Sequence, residues 1–205
     1  MNWTSSTIIE DIDYMRRRGL ASLAFFYCDF RIEDKKCLRG LLSSLLEQFC
    51  CLSNSYSDIL SNFYSEYNNG SRHPSDKALF GCLERMLKHP GQAPIYIIID
   101  GLDECPNIDG RPSPRGKVLK FVEELVDLQQ DNLHICITSR LEADINNSLG
   151  RLPFNQISLD TESGQMQDII DYVKSVIDTD EEMKGWQEAD KKYVFEALTK
   201  KSDSM

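Results

Sequence analysis

The 205-residue sequence has no apolar run long enough to cross a bilayer. Its longest, LASLAFFYC at 20–28, falls far short of the roughly 20 residues a spanning helix needs. It also shows no secretory leader, because Glu10, Asp11 and Asp13 stand where an apolar segment is required. These absences predict a cytoplasmic protein without membrane contact. Basic residues are few: 23 Lys and Arg against 33 Asp and Glu, a formal charge of −10. The one basic cluster is Arg16-Arg17-Arg18, which suits the negative end of a helix. A surface this acidic repels phosphate backbones, so nucleic-acid binding is disfavoured. No CxxC pair occurs among the seven cysteines, and His73, His89 and His134 are scattered, which argues against structural zinc. An odd number of cysteines, most inside apolar stretches, predicts reduced and buried thiols.

What is present suffices for a core, with 41% apolar residues. A first helix carries Ile8, Ile12 and Met15 on one face, with Ser5, Ser6 or Thr7 as caps and Gly19 as its end. LASLAFFYCDF at 20–30 reads as a buried strand. Residues 34–51 return to helical spacing, with Leu38, Leu41, Leu42, Leu45, Leu46 and Phe49 on one stripe. A less buried helix spans 53–70 and ends at Asn68-Asn69-Gly70. Another opens at Pro74 and stops at Pro90-Gly91. APIYIIID at 93–100 has the continuous apolar, β-branched character of a central parallel strand. A proline- and glycine-rich loop at 105–116 leads to a helix at 117–130. LHICITSR at 133–140 is a further buried strand, and FNQISLD at 154–160 a shorter one. Beyond 160 only helical patterns remain, at 164–178 and 187–200, with Trp186 and Tyr193 as expected packing anchors. Alternating strands and helices predict an α/β fold with a parallel sheet over 1–160, followed by the start of a helical subdomain over 161–205. Ligands bind such sheets beyond the carboxyl ends of the strands.

The chemistry concentrates at those ends. IYIIIDGLDE delivers Asp100 to the sheet edge, and Asp103 and Glu104 follow at once. Three carboxylates in one turn repel one another and lose hydration, so they call for a compensating charge. Hydrated Mg²⁺ carrying phosphates fits, since it takes only one or two carboxylates from protein. A second acid there could orient a water that attacks a phosphoryl group. The alternative is an acidic turn in which Asp103 caps a helix. ITSR at 137–140 repeats the geometry with Arg140, which can bond a terminal phosphate or form an ion pair with Asp100, Asp103 or Glu104.

Together these motifs resemble the NACHT-type P-loop NTPases of the STAND class, in particular the nephrocystin-3-like N-terminal domain of fungal NLR-like proteins. STIIEDI at 6–12 is similar to the helix after the phosphate loop, and AFFYCDF at 24–30 to the next strand. DGLDEC at 100–105 looks like the extended Walker B motif and ITSR like sensor 1. ISLDTESGQMQDIIDYV at 157–173 is similar to the passage into the helical subdomain. The resemblance implies a three-layer P-loop NTPase-like sheet. It implies Mg²⁺ held by Asp100 through water, a catalytic water positioned by Asp103 or Glu104, with Asp103 preferred, and a γ-phosphate sensed by Arg140. ATP or GTP with Mg²⁺ would be the cofactors, and closed and oligomeric states the switch.

One family element has no counterpart. No GxxxxGK[ST] occurs; Gly116-Lys117 is followed by Val118 and lacks the upstream glycine. By the resemblance the Lys and Ser/Thr of that loop would fall at about Met1 and Asn2, and the strand before it lies in the family between the ITSR strand and the one at 154–160. The expectation is therefore a piece of such a switch, cut at both ends, with impaired nucleotide binding and no hydrolysis of its own. The competing expectation is a non-enzymatic interaction module, pairing with protein partners or with itself. An unrelated Mg²⁺-dependent phosphotransfer domain fits poorly. Its phosphatase form needs DxDx[TV], and its receiver form needs a lysine where this chain has Arg140.

Overall fold

A computed structural model of the chain describes residues 3–108, 112–153, 155–157, 163–180 and 183–202. It divides into two compact units, Met1–Phe154 and Asn155–Met205. The first unit runs α1 (Trp3–Arg17), β1 (Ser22–Tyr27), α2 (Leu38–Cys50), α3 (Asn54–Glu66), α4 (Asp76–Leu87), β2 (Ile95–Asp100), α5 (Pro114–Asp127), β3 (Leu133–Ile137) and α6 (Ala143–Leu149). The three strands form a parallel sheet in the order β1-β2-β3, with Tyr27 in register with Asp100 and Ile99 with Ile137. No helix among the described residues is long and apolar enough to cross a membrane.

Both faces of the sheet are covered, as the unbroken apolar strands require. On one face Ile98 and Leu23 meet Ile12 of α1. On the other, Ala24, Phe26, Ile97 and Ile99 meet α2, α4 and α5. Most of the stripe of α2 is inside: Leu41, Leu42 and Leu45 are fully buried, Leu46 and Phe49 nearly so, and Leu38 at the start of the helix is partly buried. Each such side chain contributes about 1.5–3 kcal/mol by leaving water. The chain turns after α3 where the sequence supplies residues that tolerate positive φ: Asn68 (51°), Asn69 (52°) and Gly70 (85°).

The two sheet edges differ. At the outer edge of β1 the side-chain amide of Gln48 pairs with the backbone of Phe25 as a neighbouring strand would. Phe25 N–H donates to Gln48 Oε1 at 3.0 Å, and Gln48 Nε2 donates to Phe25 O at 2.7 Å. At β3, Asn132 O accepts from Ile95 and Thr138 N–H donates to Ile99 O. The alternation of a parallel ladder therefore turns the backbone groups of Ile135 and Ile137 outward. Among the described residues no strand pairs with that edge.

Several local expectations are corrected. The first helix begins at Trp3, so Ser5, Ser6 and Thr7 lie inside it rather than capping it, and Ser5 is fully buried. The helix expected from 117 starts at Pro114, because Ser113 caps it by accepting from Gly116 N–H and Pro114 needs no amide partner there. Helix α6 was not anticipated: ADINNSL is polar, and Ile145 is its one buried residue. Of the strand expected at 154–160, residues 155–157 have no regular structure and the remainder lies outside the described residues.

In the second unit α7 (Ser163–Thr179) and α8 (Glu188–Ser202) pack together, with a 3-10 turn at Met183–Gly185 between them in sequence. Ile177 is buried there. Trp186 and Tyr193 are exposed (44% and 74%) and do not act as packing anchors.

Candidate functional site

Five apolar residues of β2 carry Asp100 to the carboxyl edge of the sheet, where it remains 8% exposed. The chain then reverses. Gly101 takes a left-handed conformation (φ 68°), and Leu102–Glu104 makes one 3-10 turn anchored by the fully buried Leu102. A Cβ at Gly101 would meet only ordinary contacts, the nearest being Cys28 O at 3.7 Å, so the backbone angle and not space favours glycine.

Thr138, the first residue after β3, ties this turn to the sheet. Its hydroxyl donates to Asp100 Oδ1 at 2.5 Å and accepts from Gly101 N–H at 3.0 Å. Its carbonyl accepts from Leu102 N–H at 2.9 Å. Two residues on, Arg140 meets Asp103. Its backbone N–H donates to Asp103 Oδ1 at 3.0 Å, and its Nε lies 3.4 Å from Oδ2. The ion-pair alternative for Arg140 is thus the arrangement present, and Asp103 accepts from Arg140 rather than capping a helix. The Arg140 side chain is nonetheless 84% exposed, against 10% for Asp103.

The structure therefore brings Asp100, Asp103 and Arg140 into one connected group, with Glu104 on the same turn. Among the described residues no cation pairs with Asp100, and the Glu104 carboxylate has neither a hydrogen bond nor an ion pair. A buried carboxylate without a positive partner is the condition a bound cation relieves. No cluster of three or more His, Cys, Asp or Glu able to hold a metal occurs among the described residues. A closed protein cage is thus absent, whereas one carboxylate beside solvent fits the water-rich coordination of Mg²⁺.

Two further features surround the turn. Arg115, 7% exposed, holds it from behind. Its guanidinium donates to the carbonyls of Asp103 (2.5 Å) and Cys105 (2.9 Å) and to Asp144 Oδ1 (3.1 Å) on α6. The sequence reading passed over Arg115 and Asp144. The available signal was an arginine in the first turn of a helix, where it opposes the helix dipole and so needs another reason to be there. On the β1 side, Cys28 N–H donates to Asp100 O at 2.9 Å, and the Cys28 and Cys105 sulfurs lie 3.5 Å apart. The bond to Cys105 and burial hold the Cys28 thiol well above its ordinary range. The same bond, aided by the Arg115 guanidinium, lowers that of Cys105. Burial, followed by the Asp100 carboxylate, raises Tyr27, which is also hydrogen-bonded to Ser6. That bond sets the amino end of α1 beside the acidic edge. A shallow cavity of about 250 Å³ lies elsewhere, at the amino end of the sheet beside Ser22, Tyr56 and His89.

The chain matches the family described as Nephrocystin 3, N-terminal, over residues 3–140. The match takes in the three strands and all four residues Asp100, Asp103, Glu104 and Arg140. No curated protein and no solved structure matches the chain.

Proposed function

Because the chain belongs to the Nephrocystin 3 N-terminal family, we propose that its acidic turn is the Mg²⁺-facing half of a nucleoside-triphosphate site in a cytoplasmic, NACHT-type signalling switch. The observation that carries this reading is Asp100, a buried carboxylate without a cationic partner among the described residues, at the carboxyl edge of a parallel sheet. Asp100 would hold the ion through its water shell, with Thr138 fixing which carboxylate oxygen is free. The ion, when bound, supplies positive charge to the phosphates of ATP or GTP. Both oxygens of Asp103 are engaged by Arg140, so we assign the positioning of an attacking water to Glu104. Asp103 then serves to hold Arg140. The exposed guanidinium of Arg140 can leave Asp103 for a terminal phosphate, which it would bond with two N–H groups.

The 205 residues contain no GxxxxGK[ST] loop to cradle phosphates, so binding by this chain alone is expected to be weak, with Kd on the order of 1 mM or about −4 kcal/mol. Amide shift mapping with Mg²⁺ and ATP, then GTP, tests the reading. The expected shifts centre on residues 100–104 and 138–140, and Arg140→Ala removes the nucleotide response while leaving that of the metal. Shifts confined to other acidic surfaces refute it.

The two edges of the sheet favour a second reading, a module that assembles through β3. Gln48 covers the Phe25 backbone at one edge, whereas the outward groups of Ile135 and Ile137 at the other have no strand partner among the described residues. An open edge recruits another strand, from a protein partner or a second copy. Sedimentation over a wide concentration range, alone and with an intact family member, should show association. A monomer throughout would count against it.

A further inference from the structure

Apart from the carboxylates, the densest group of reactive side chains lies beneath the same turn. Cys28 follows β1 and Cys105 follows the 3-10 turn, 77 residues apart in sequence, yet their sulfurs are 3.5 Å from each other. Cys105 is fully buried and Cys28 is 7% exposed. Both segments are held in place independently of the sulfurs. Cys28 N–H is bonded to Asp100 O, Cys105 N–H to Leu102 O, and Cys105 O to Arg115. A disulfide needs the sulfurs to approach by only about 1.5 Å more, to the usual S–S length near 2.05 Å.

We propose that Cys28 and Cys105 form an oxidisable pair, a modification site that clamps the Asp103-Glu104 turn to the end of β1 when a peroxide is present. One sulfur takes an oxygen from the peroxide and becomes a sulfenic acid. The other displaces that oxygen as water. In balance, two S–H bonds and one O–O bond break, and one S–S bond and two O–H bonds form. The two thiols lose two electrons, and one peroxide is reduced to two waters. The remaining cysteines provide an internal comparison. Cys51 is exposed and adjacent to Cys50 in sequence, so oxidation governed by exposure alone would begin there.

The test uses the unmodified chain with hydrogen peroxide as the probe. The folded chain is treated, quenched by alkylation in denaturant, digested without reductant and mapped by mass spectrometry. A parallel sample is oxidised in urea. The expected result is one dominant cross-link joining the Cys28 and Cys105 peptides, two hydrogens lighter than the separate peptides and reversed by dithiothreitol. In urea the seven cysteines should scatter among many pairings. Oxidation should also slow amide exchange over 102–105. The proposal is overturned if Cys28 and Cys105 stay alkylatable while Cys50 and Cys51 are oxidised, or if the folded and unfolded chains give the same pairings. Because no step involves nucleotide or metal, the outcome is separate from that of the nucleotide reading.

Discussion

Replacing Arg115 with alanine should cost this protein more stability than almost any other charged-residue change. The wild-type guanidinium satisfies the carbonyls of Asp103 and Cys105 and pairs with Asp144, with its own side chain only 9% exposed. Cys105 is fully buried, so its carbonyl has no ready access to water. Each carbonyl left without a donor costs about 1–3 kcal/mol. The pair with Asp144 adds little, about 0.5–1 kcal/mol, because the aspartate side chain is 33% exposed and solvent screens it. Lost packing of the aliphatic stem adds to this. The total is about 3–5 kcal/mol, in the range found when one partner of a buried charge network is removed. At roughly 2–4 °C per kcal/mol for a chain of this length, Tm falls by about 6–20 °C. Urea unfolding followed by circular dichroism measures the free energy. Asp144→Ala spares both carbonyl bonds but leaves the buried guanidinium with only Glu142, at 3.9 Å, as a charged partner, so it should cost about 1–3 kcal/mol and less than Arg115→Ala. An Arg115→Ala penalty below about 1 kcal/mol, or one equal to that of Asp144→Ala, would show that the carbonyl bonds do not hold the turn.

Thr138→Val keeps the shape of the side chain but removes the hydroxyl that joins Asp100 to Gly101. A loss of about 1–3 kcal/mol is expected in the same unfolding assay, with amide shifts concentrated at 100–102. Gln48→Ala uncovers the backbone of Phe25, so light scattering should report new association through the β1 edge. Asp29 accepts from both the backbone and the guanidinium of Arg31, which hold its carboxyl at about 2. Since the folded value is depressed, its contribution is complete above the ordinary carboxylate range and is lost as pH falls through about 2. A carboxyl ¹³C titration should therefore find a midpoint near 2, and Arg31→Ala should return it to the ordinary range.

The acidic site was legible because its parts follow from local rules. An unbroken apolar strand must lie inside a covered sheet, and the first carboxylate after it must emerge at the carboxyl edge. The same logic placed Arg140 after β3. What sequence could not supply was the pairing between the two edges. Whether Arg140 meets Asp100, Asp103 or Glu104 depends on the register of β2 with β3, which no residue in either strand specifies by itself. The apolar stripe of α5 begins only at Val118, so periodicity places the helix start near 117 and leaves Arg115 in the loop before it. With Ser113 as its cap, Arg115 enters the first turn and its orientation toward the acidic loop becomes a question. Helix α6 escaped notice for a different reason. It is held by Ile145 and by Asp144 bonding to Arg115 and Asn107, and such anchors leave no periodic apolar signal. Trp186 and Tyr193 illustrate the converse, since large aromatic residues suggest burial but a short helical unit leaves them exposed.

The nucleotide reading stands or falls on a divalent cation at Asp100. Paramagnetic broadening by Mn²⁺, in place of Mg²⁺ and in the presence of ATP, tests it most directly because it reports position even when binding is weak. The amides of Asp100, Gly101 and Thr138 should broaden first in the unmodified chain. In Asp100→Asn that local effect disappears while the fold persists. Equal broadening in both proteins, or broadening that begins at exposed acidic residues far from the sheet edge, would contradict it.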